Sequence, residues 1–191
     1  MSEVETERTR LRMFTLDDLD DLARIVADPG VMQYLGLEGK PMSRDETETA
    51  LHSMINHWQR HGIGRWAVEH KSNQRLIGYS GLRWFEQGGV PELVYLIDRN
   101  YWGQGLATEI AHASLKFGFE VRKFEQVVAM TRHGNAASRH ILEKKLRMRF
   151  SGEMMLFGIQ VVGYYITQSQ YVSDGNSQQS GTEHLSPSHR V

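Results

Sequence analysis

The stretch YWGQGLATE, residues 101–109, sets Gly103 and Gly105 directly after the apolar run LVYLI and directly before an amphipathic segment. Glycines at a strand-to-helix junction let the backbone approach a ligand closely, and the unpaired N–H groups of a first helical turn, with the helix dipole, attract phosphate. A pyrophosphate suits such a junction. Two familiar arrangements fail on spacing: no Gly-Lys-Ser/Thr follows, as a P-loop requires, and Thr108 stands where a dinucleotide fingerprint needs a third small residue, with Glu125 before rather than after the strand-like QVVAMT. A tight turn with no ligand is the alternative that spacing alone leaves open. A second group, Asn135 and Ser138 in N-A-A-S, reads by itself as a helix N-cap with a first-turn serine. Glu92, after Pro91, reads by itself as a charge at a strand end. His57 and His61 are four apart on a helical pattern, but without an HExxH they are packing or surface residues, and no metal is expected.

These residues need elements to carry them. Leu19, Leu22, Ala23 and Val26 repeat at helical spacing behind a capping-box pattern of Thr15 and Asp18, with Pro29 as a stop. Leu51, Met54, Ile55 and Trp58 do the same behind Ser43 and Glu46. Strand-like RWAVEH, LIGYSGLRW and ELVYLID follow, joined by the turn-like KSNQ and EQGGVP, which predicts antiparallel neighbours. A helix over about 105–119, the strand QVVAMT, a helix over about 136–145 and the strands EMMLFG and VVGYYIT complete the pattern. With one strand ahead of the first helix, the order predicts an α/β domain with a mixed sheet. Trp66, Trp84, Tyr95 and Tyr34 are read as core aromatics.

Composition narrows the partners. The chain has 191 residues, enough for one domain with a real core. Its 22 basic and 23 acidic residues are interspersed, with a formal net charge of -1, so no footprint for nucleic acid or an anionic membrane is present. Cysteine is absent, which excludes disulfides, thiolate metal sites and a cysteine nucleophile. The polar N-terminus has no signal-peptide pattern and no segment approaches membrane-spanning length, so a cytoplasmic protein is expected. Residues 168–191, rich in Ser, Gln and Gly, read as a disordered tail.

The segments RWAVEHKSNQRLIGYSGL, ELVYLIDRNYWGQGLATEIAHASLKFGF and NAASRHILEKKLRMRFSGE resemble successive blocks of the GNAT superfamily of acyl-CoA-dependent N-acetyltransferases, and are most similar to its RimJ/RimL-like branch of ribosomal-protein N-terminal acetyltransferases. TERTRLRMFTLDDLDDL and DPGVMQYLG fit as well, so the resemblance covers about residues 6–167. It implies the GNAT fold, with about seven strands, about four flanking helices and a splayed central pair. It also implies that Gly103, Gln104, Gly105, Leu106, Ala107 and Thr108 bind the coenzyme A pyrophosphate, that Leu96 and Ile97 on the splayed strand meet the pantetheine arm, and that Asn135 lies near that arm. Trp102 stands where the wider superfamily prefers Gln or Arg, although the branch often has Trp.

By the same resemblance the cosubstrate is acetyl-CoA and the acceptor is a primary amine, with Tyr34 bordering the acceptor groove. An α-amine of pKa about 7.8 is roughly one-tenth neutral at pH 7, whereas a lysine amine near about 10.4 is neutral at about one part in a thousand or less. A base is therefore more necessary for lysine, and Glu92 matches a family position for a carboxylate that takes the proton through water. The thiol, with a pKa of about 8.5 like free cysteine, departs more readily if protonated. Many relatives supply that proton from a tyrosine where this chain has Leu142; Ser138 is the nearest hydroxyl, with Tyr164 and Tyr165 as other substitutes. Arg147 stands where the family has a glycine in a left-handed turn. The implied activity is direct acetyl transfer in a ternary complex, favouring protein or peptide α-amines, by a monomer or homodimer. The alternatives are acetylation of a small amine (antibiotic, polyamine or amino acid) and a non-catalytic acyl-CoA sensor.

Overall fold

The computed structural model describes residues 3–36, 38–84 and 89–172. Two short strands, β1 (Val4–Glu5) and β2 (Thr9–Arg12), lead to a 3-10 turn, Leu16–Asp18, and then helix α1 (Leu19–Val26). The predicted cap is present: the Thr15 N–H donates to the Asp18 carboxylate at 2.8 Å, and Arg12 forks onto the same carboxylate at 2.7 and 2.9 Å. Pro29, read as a stop, also opens a further helix, α2 (Pro29–Met32), because its missing N–H costs nothing at a first helical position and Asp28 caps the turn. Helix α3 (Arg44–His61) starts at the Ser43–Glu46 box and ends at Gly62, whose φ of 64° makes it a left-handed cap.

The sheet strands follow the expected runs closely. They are β3 (Arg65–His70), β4 (Arg75–Trp84), β5 (Pro91–Ile97), β6 (Gln126–Arg132), β7 (Arg149–Leu156) and β8 (Ile159–Thr167). Residues 71–74 make the turn that KSNQ predicts; of the EQGGVP turn, residues 86–88 lie outside the described residues. Strand β7 begins earlier than its expected start in EMMLFG. It is the last strand of the sheet and exposed on both faces, so it lacks the alternation that marks a half-buried strand. Phe157 and Gly158, both at positive φ, turn it into β8.

Among the described residues eight strands run in the order β1-β2-β3-β4-β5-β6-β8-β7, one more than the seven expected because of the two-residue β1. Helix α4 (Leu106–Lys116) continues as a π-helical stretch, Phe117–Val121, and α5 (Ala136–His140) as another, Ile141–Lys145. One face of the sheet packs Trp66, Ile77 and Leu82 with Ile110 and Phe117, while α1, α2 and α3 cover the other, where Leu22, Leu51 and Met54 meet Ala67 and Leu96. Each fully buried leucine or isoleucine contributes about 1.5–3 kcal/mol, so both layers are held firmly to the sheet. Residues 168–172 form a helical turn in which Tyr171 stacks on Phe119 at 4.9 Å and donates to Glu120 at 3.0 Å. The rest of the segment read as a tail, 173–191, lies outside the described residues.

Among the described residues all but one sheet pairing is antiparallel. The exception is β5 with β6, which run parallel and meet only at Glu92 and Val128. Beyond that point the two strands diverge, the splayed central pair that the sequence resemblance implies.

Candidate active site

The divergence of β5 and β6 opens a cleft of about 1150 Å³. Of the twelve expected site residues, eleven line it: Tyr34, Glu92, Leu96, Ile97, Gly103, Gly105, Leu106, Ala107, Thr108, Asn135 and Ser138. Gln104 is the exception; its side-chain amide donates to the Asn100 carbonyl at 3.3 Å.

At one end the backbone itself is prepared for a ligand. Gly103 and Gly105 have φ of 73° and 77°, a region costly to other L-residues, and Gly105, the N-cap of α4, has no side chain to cap the helix. A Cβ on Gly103 would meet nothing within 4 Å, so the conformation, not crowding, calls for glycine there. The loop is braced from a distant part of the chain. Arg8 donates to the Gln104 carbonyl at 2.7 Å and to Glu109 at 2.7 Å, while its own N–H and the Thr6 hydroxyl reach the second Glu109 oxygen at 2.8 and 2.6 Å. Burial opposes ionisation of Glu109, but the bonds from Thr6 and Arg8 outweigh it and hold the carboxyl below its ordinary value. Sequence reasoning passed over this clamp, since nothing local links residue 8 to residue 109.

Strand alternation sorts the groups along β5. The Asp98 N–H bonds to Ile77 on β4, and opposite residues in an antiparallel pair alternate between bonded and unbonded, so Leu96 and Val94 also direct their backbone to β4. Tyr95 and Ile97 direct theirs toward the gap. The Ile97 carbonyl accepts from the Trp102 indole at 2.8 Å, which ties the strand end to the glycine loop and gives that tryptophan a structural reason. Leu96 faces the cleft instead through its side chain.

Midway, hydroxyls converge. Asn135 caps α5 by accepting from the Ser138 N–H at 3.1 Å, and the Ser138 hydroxyl lies 2.9 Å from that of Tyr95. Burial pushes the Tyr95 hydroxyl up to about 12, against the opposing effect of that hydrogen bond, so it keeps its proton. Tyr95, taken as core from its type alone, is thus a cleft residue; its position opposite Ser80 on a strand gave no hint of a partner 43 positions on. Leu142 is buried in the core. Tyr164 and Tyr165 do not line the cleft, and the Tyr164 hydroxyl donates to Glu143 at 2.6 Å.

At the other end Glu92 is 4% exposed and accepts from Arg83 Nε at 2.7 Å, so it is not the solvated strand-end charge that its flanks suggest. Arg83 faces it directly across the β4–β5 pair. Tyr34 lies against the turn before Asn135, where a Cβ on Gly134 would stand 3.4 Å from its ring. Arg147 has φ of 53°, the left-handed conformation that favours glycine. Among the described residues no group of three or more His, Asp or Glu side chains is placed to hold a metal, and no helix is long and apolar enough to cross a membrane.

Residues 8–145 match the family model of the acetyltransferase (GNAT) domain. Protein YkkB of Bacillus subtilis is 33% identical over 147 residues, covering 73% of this chain and 81% of that protein. A GNAT-family acetyltransferase from Bacillus anthracis superposes with a TM-score of 0.76 at 20% identity, over 88% of this chain and 99% of its own. RimL, a ribosomal L7/L12 α-N-protein acetyltransferase solved with coenzyme A, superposes with a TM-score of 0.74 at 18% identity, over 87% and 98%. At those identities the two structures speak for the fold.

Proposed function

The chain belongs to the GNAT acetyltransferase family and is an N-acetyltransferase, and from that premise we propose that it moves the acetyl group of acetyl-CoA to the α-amine of a protein or peptide by direct attack in a ternary complex. The observation that carries this reading is the single Glu92–Val128 bridge, beyond which β5 and β6 part beside a glycine-opened helix start. That combination suits a long phosphorylated thioester: Gly103 to Thr108 would hold the pyrophosphate, with Arg8 keeping the loop in place, and the β5 backbone at Tyr95 and Ile97 would meet the pantetheine amides. Acetyl-CoA supplies the activated carbonyl and the leaving thiol.

The chain's own residues then have two proton tasks. Glu92 is the candidate for the first, taking a proton from the attacking amine directly or through water, with Arg83 fixing its carboxylate. Ser138 is the candidate for the second, donating toward the departing thiolate while Tyr95, whose hydroxyl is within hydrogen-bond distance and starts protonated, passes its proton to Ser138 and is itself reprotonated from water before the next turnover. With Leu142 in place of an acid, this pair offers two hydroxyls that line the cleft. An α-amine is favoured over lysine because more of it is neutral at physiological pH. The similarity in fold to RimL, and the RimJ/RimL-like motifs, support the same choice.

The test is release of free thiol from acetyl-CoA against a panel of N-terminal peptides, lysine-containing peptides blocked at the N-terminus, and small amines. Thiol should appear only with an acceptor, fastest with a free α-amine peptide, and the product should gain one acetyl group by mass. Preference for a blocked lysine peptide or for a small amine would overturn the acceptor assignment.

A further inference from the structure

The acceptor end of the cleft holds a second guanidinium beside the Arg83–Glu92 pair. Arg65, on β3 opposite Gly81, shares a sheet face with Tyr79, Arg83 and Glu92, and all four line the cleft. Its guanidinium carbon lies 5.4 Å from the centre of the Tyr79 ring, and its Nε is sealed from solvent with no hydrogen-bond partner among the described residues. Glu92, the nearby carboxylate whose charge Arg65 feels, is engaged at 2.7 Å by Arg83. Two cations therefore share one anion. A guanidinium stays charged when buried, and with Nε left unpaired its charge is undercompensated, a cost that a carboxylate meeting the part of Arg65 that lines the cleft can recover. Tyr79 offsets part of that cost through its ring, and Nε still has no hydrogen-bond acceptor among the described residues. Burial disfavours the charged form of Arg65 and Arg83 repels it, which is the environment of a cation waiting for a counter-ion.

We infer that Arg65 is a specificity residue that binds a carboxylate of the acceptor, so that the preferred substrate is an amine with an acidic group close to it, foremost a peptide whose N-terminal residues include Asp or Glu. The inference rests on the acceptor occupying this end of the cleft in the N-acetyltransferase reading. It is independent of which residue acts as base.

Two measurements test it. Initial rates at saturating acetyl-CoA would compare amidated Ser-Glu-Ala with amidated Ser-Gln-Ala, and, as the arm for a main-chain carboxylate, Ser-Ala with its amide. Calorimetry would titrate the N-acetylated forms of the same peptides into protein saturated with coenzyme A. One carboxylate arm should be preferred by about tenfold or more in KM, the size expected for a charge-assisted bond at a sheltered site. Arg65→Met should abolish that preference while leaving the KM for acetyl-CoA within about twofold, the acid-to-amide ratio being read within each variant so that any change at Glu92 cancels. Arg65→Lys, which keeps the charge without the fork, should fall between them. Equal rates and equal binding for acid and amide in the wild-type protein would overturn the inference without recourse to any variant. Arg65-dependent binding of the acetylated acidic peptide with no thiol release from its amine would uphold the anion site and instead defeat the transfer reading.

Discussion

At the glycine end of the cleft the polar groups on offer are main-chain ones, from Gly103, Gly105 and the first turn of α4, whereas at the far end they are the side chains of Arg65, Arg83 and Glu92 on three neighbouring strands. Main-chain groups are the same in every protein, so an end built from them suits a ligand that never changes. Side chains differ from one protein to the next, and an end built from them can be tuned to an acceptor. The two ends also fail differently. The glycine end depends on backbone angles that only particular residues tolerate, while the charged end depends on each ion having a partner.

Removing the proposed base should separate the ends most sharply. Glu92→Gln is expected to lower kcat/KM at neutral pH by about a hundredfold, within the range for general base catalysis, while the affinity for acetyl-CoA stays close to wild type. The defect should shrink above the acceptor's own pKa, about 7.8 for an α-amine, because a neutral amine no longer needs the base. A pH–rate profile checks this. An equal loss at every pH would make Glu92 a structural partner of Arg83 and move the base elsewhere.

The complementary change at the glycine end is Gly103→Val. With φ at 73° and open space around the position, the substitution strains the loop without a collision, and coenzyme A affinity should fall by about tenfold or more while the protein stays folded. Calorimetry with coenzyme A reads the change directly. Unchanged affinity in a folded variant would remove the phosphate-loop assignment, and with it the contrast between the ends.

The smallest effect is one of stability. Arg147 occupies a left-handed conformation after the Ile141–Lys145 stretch, where the Leu146 N–H bonds to Ile141 and the Met148 N–H to Leu142. Arg147→Gly should relieve about 1 kcal/mol of backbone strain and raise Tm by roughly 2–4 °C. A lower Tm would mean that contacts of the arginine side chain outweigh the strain, making the departure from glycine a stabilising one.

Both capping boxes, the strands β3 to β6 and the glycine junction were legible in the sequence because each depends on residues within a few positions of one another. A Ser43–Glu46 box is a local hydrogen-bonding pattern, and a positive φ at Gly103 is a demand on one residue. The resemblance of the blocks around them carried the fold and the cleft lining with it. Tertiary structure alone decided the rest. Residue types did not disclose that Glu92 is buried against Arg83, that Tyr95 reaches Ser138, that Arg8 braces the loop at Gln104, or that Arg65 Nε is buried without a hydrogen-bond partner among the described residues. Each of these depends on strand register and on which side chains the sheet and its covering helices shut away from water. An Arg or a Glu is an ordinary solvated charge until burial raises the cost of leaving it unpaired, and burial is a property of the assembled chain.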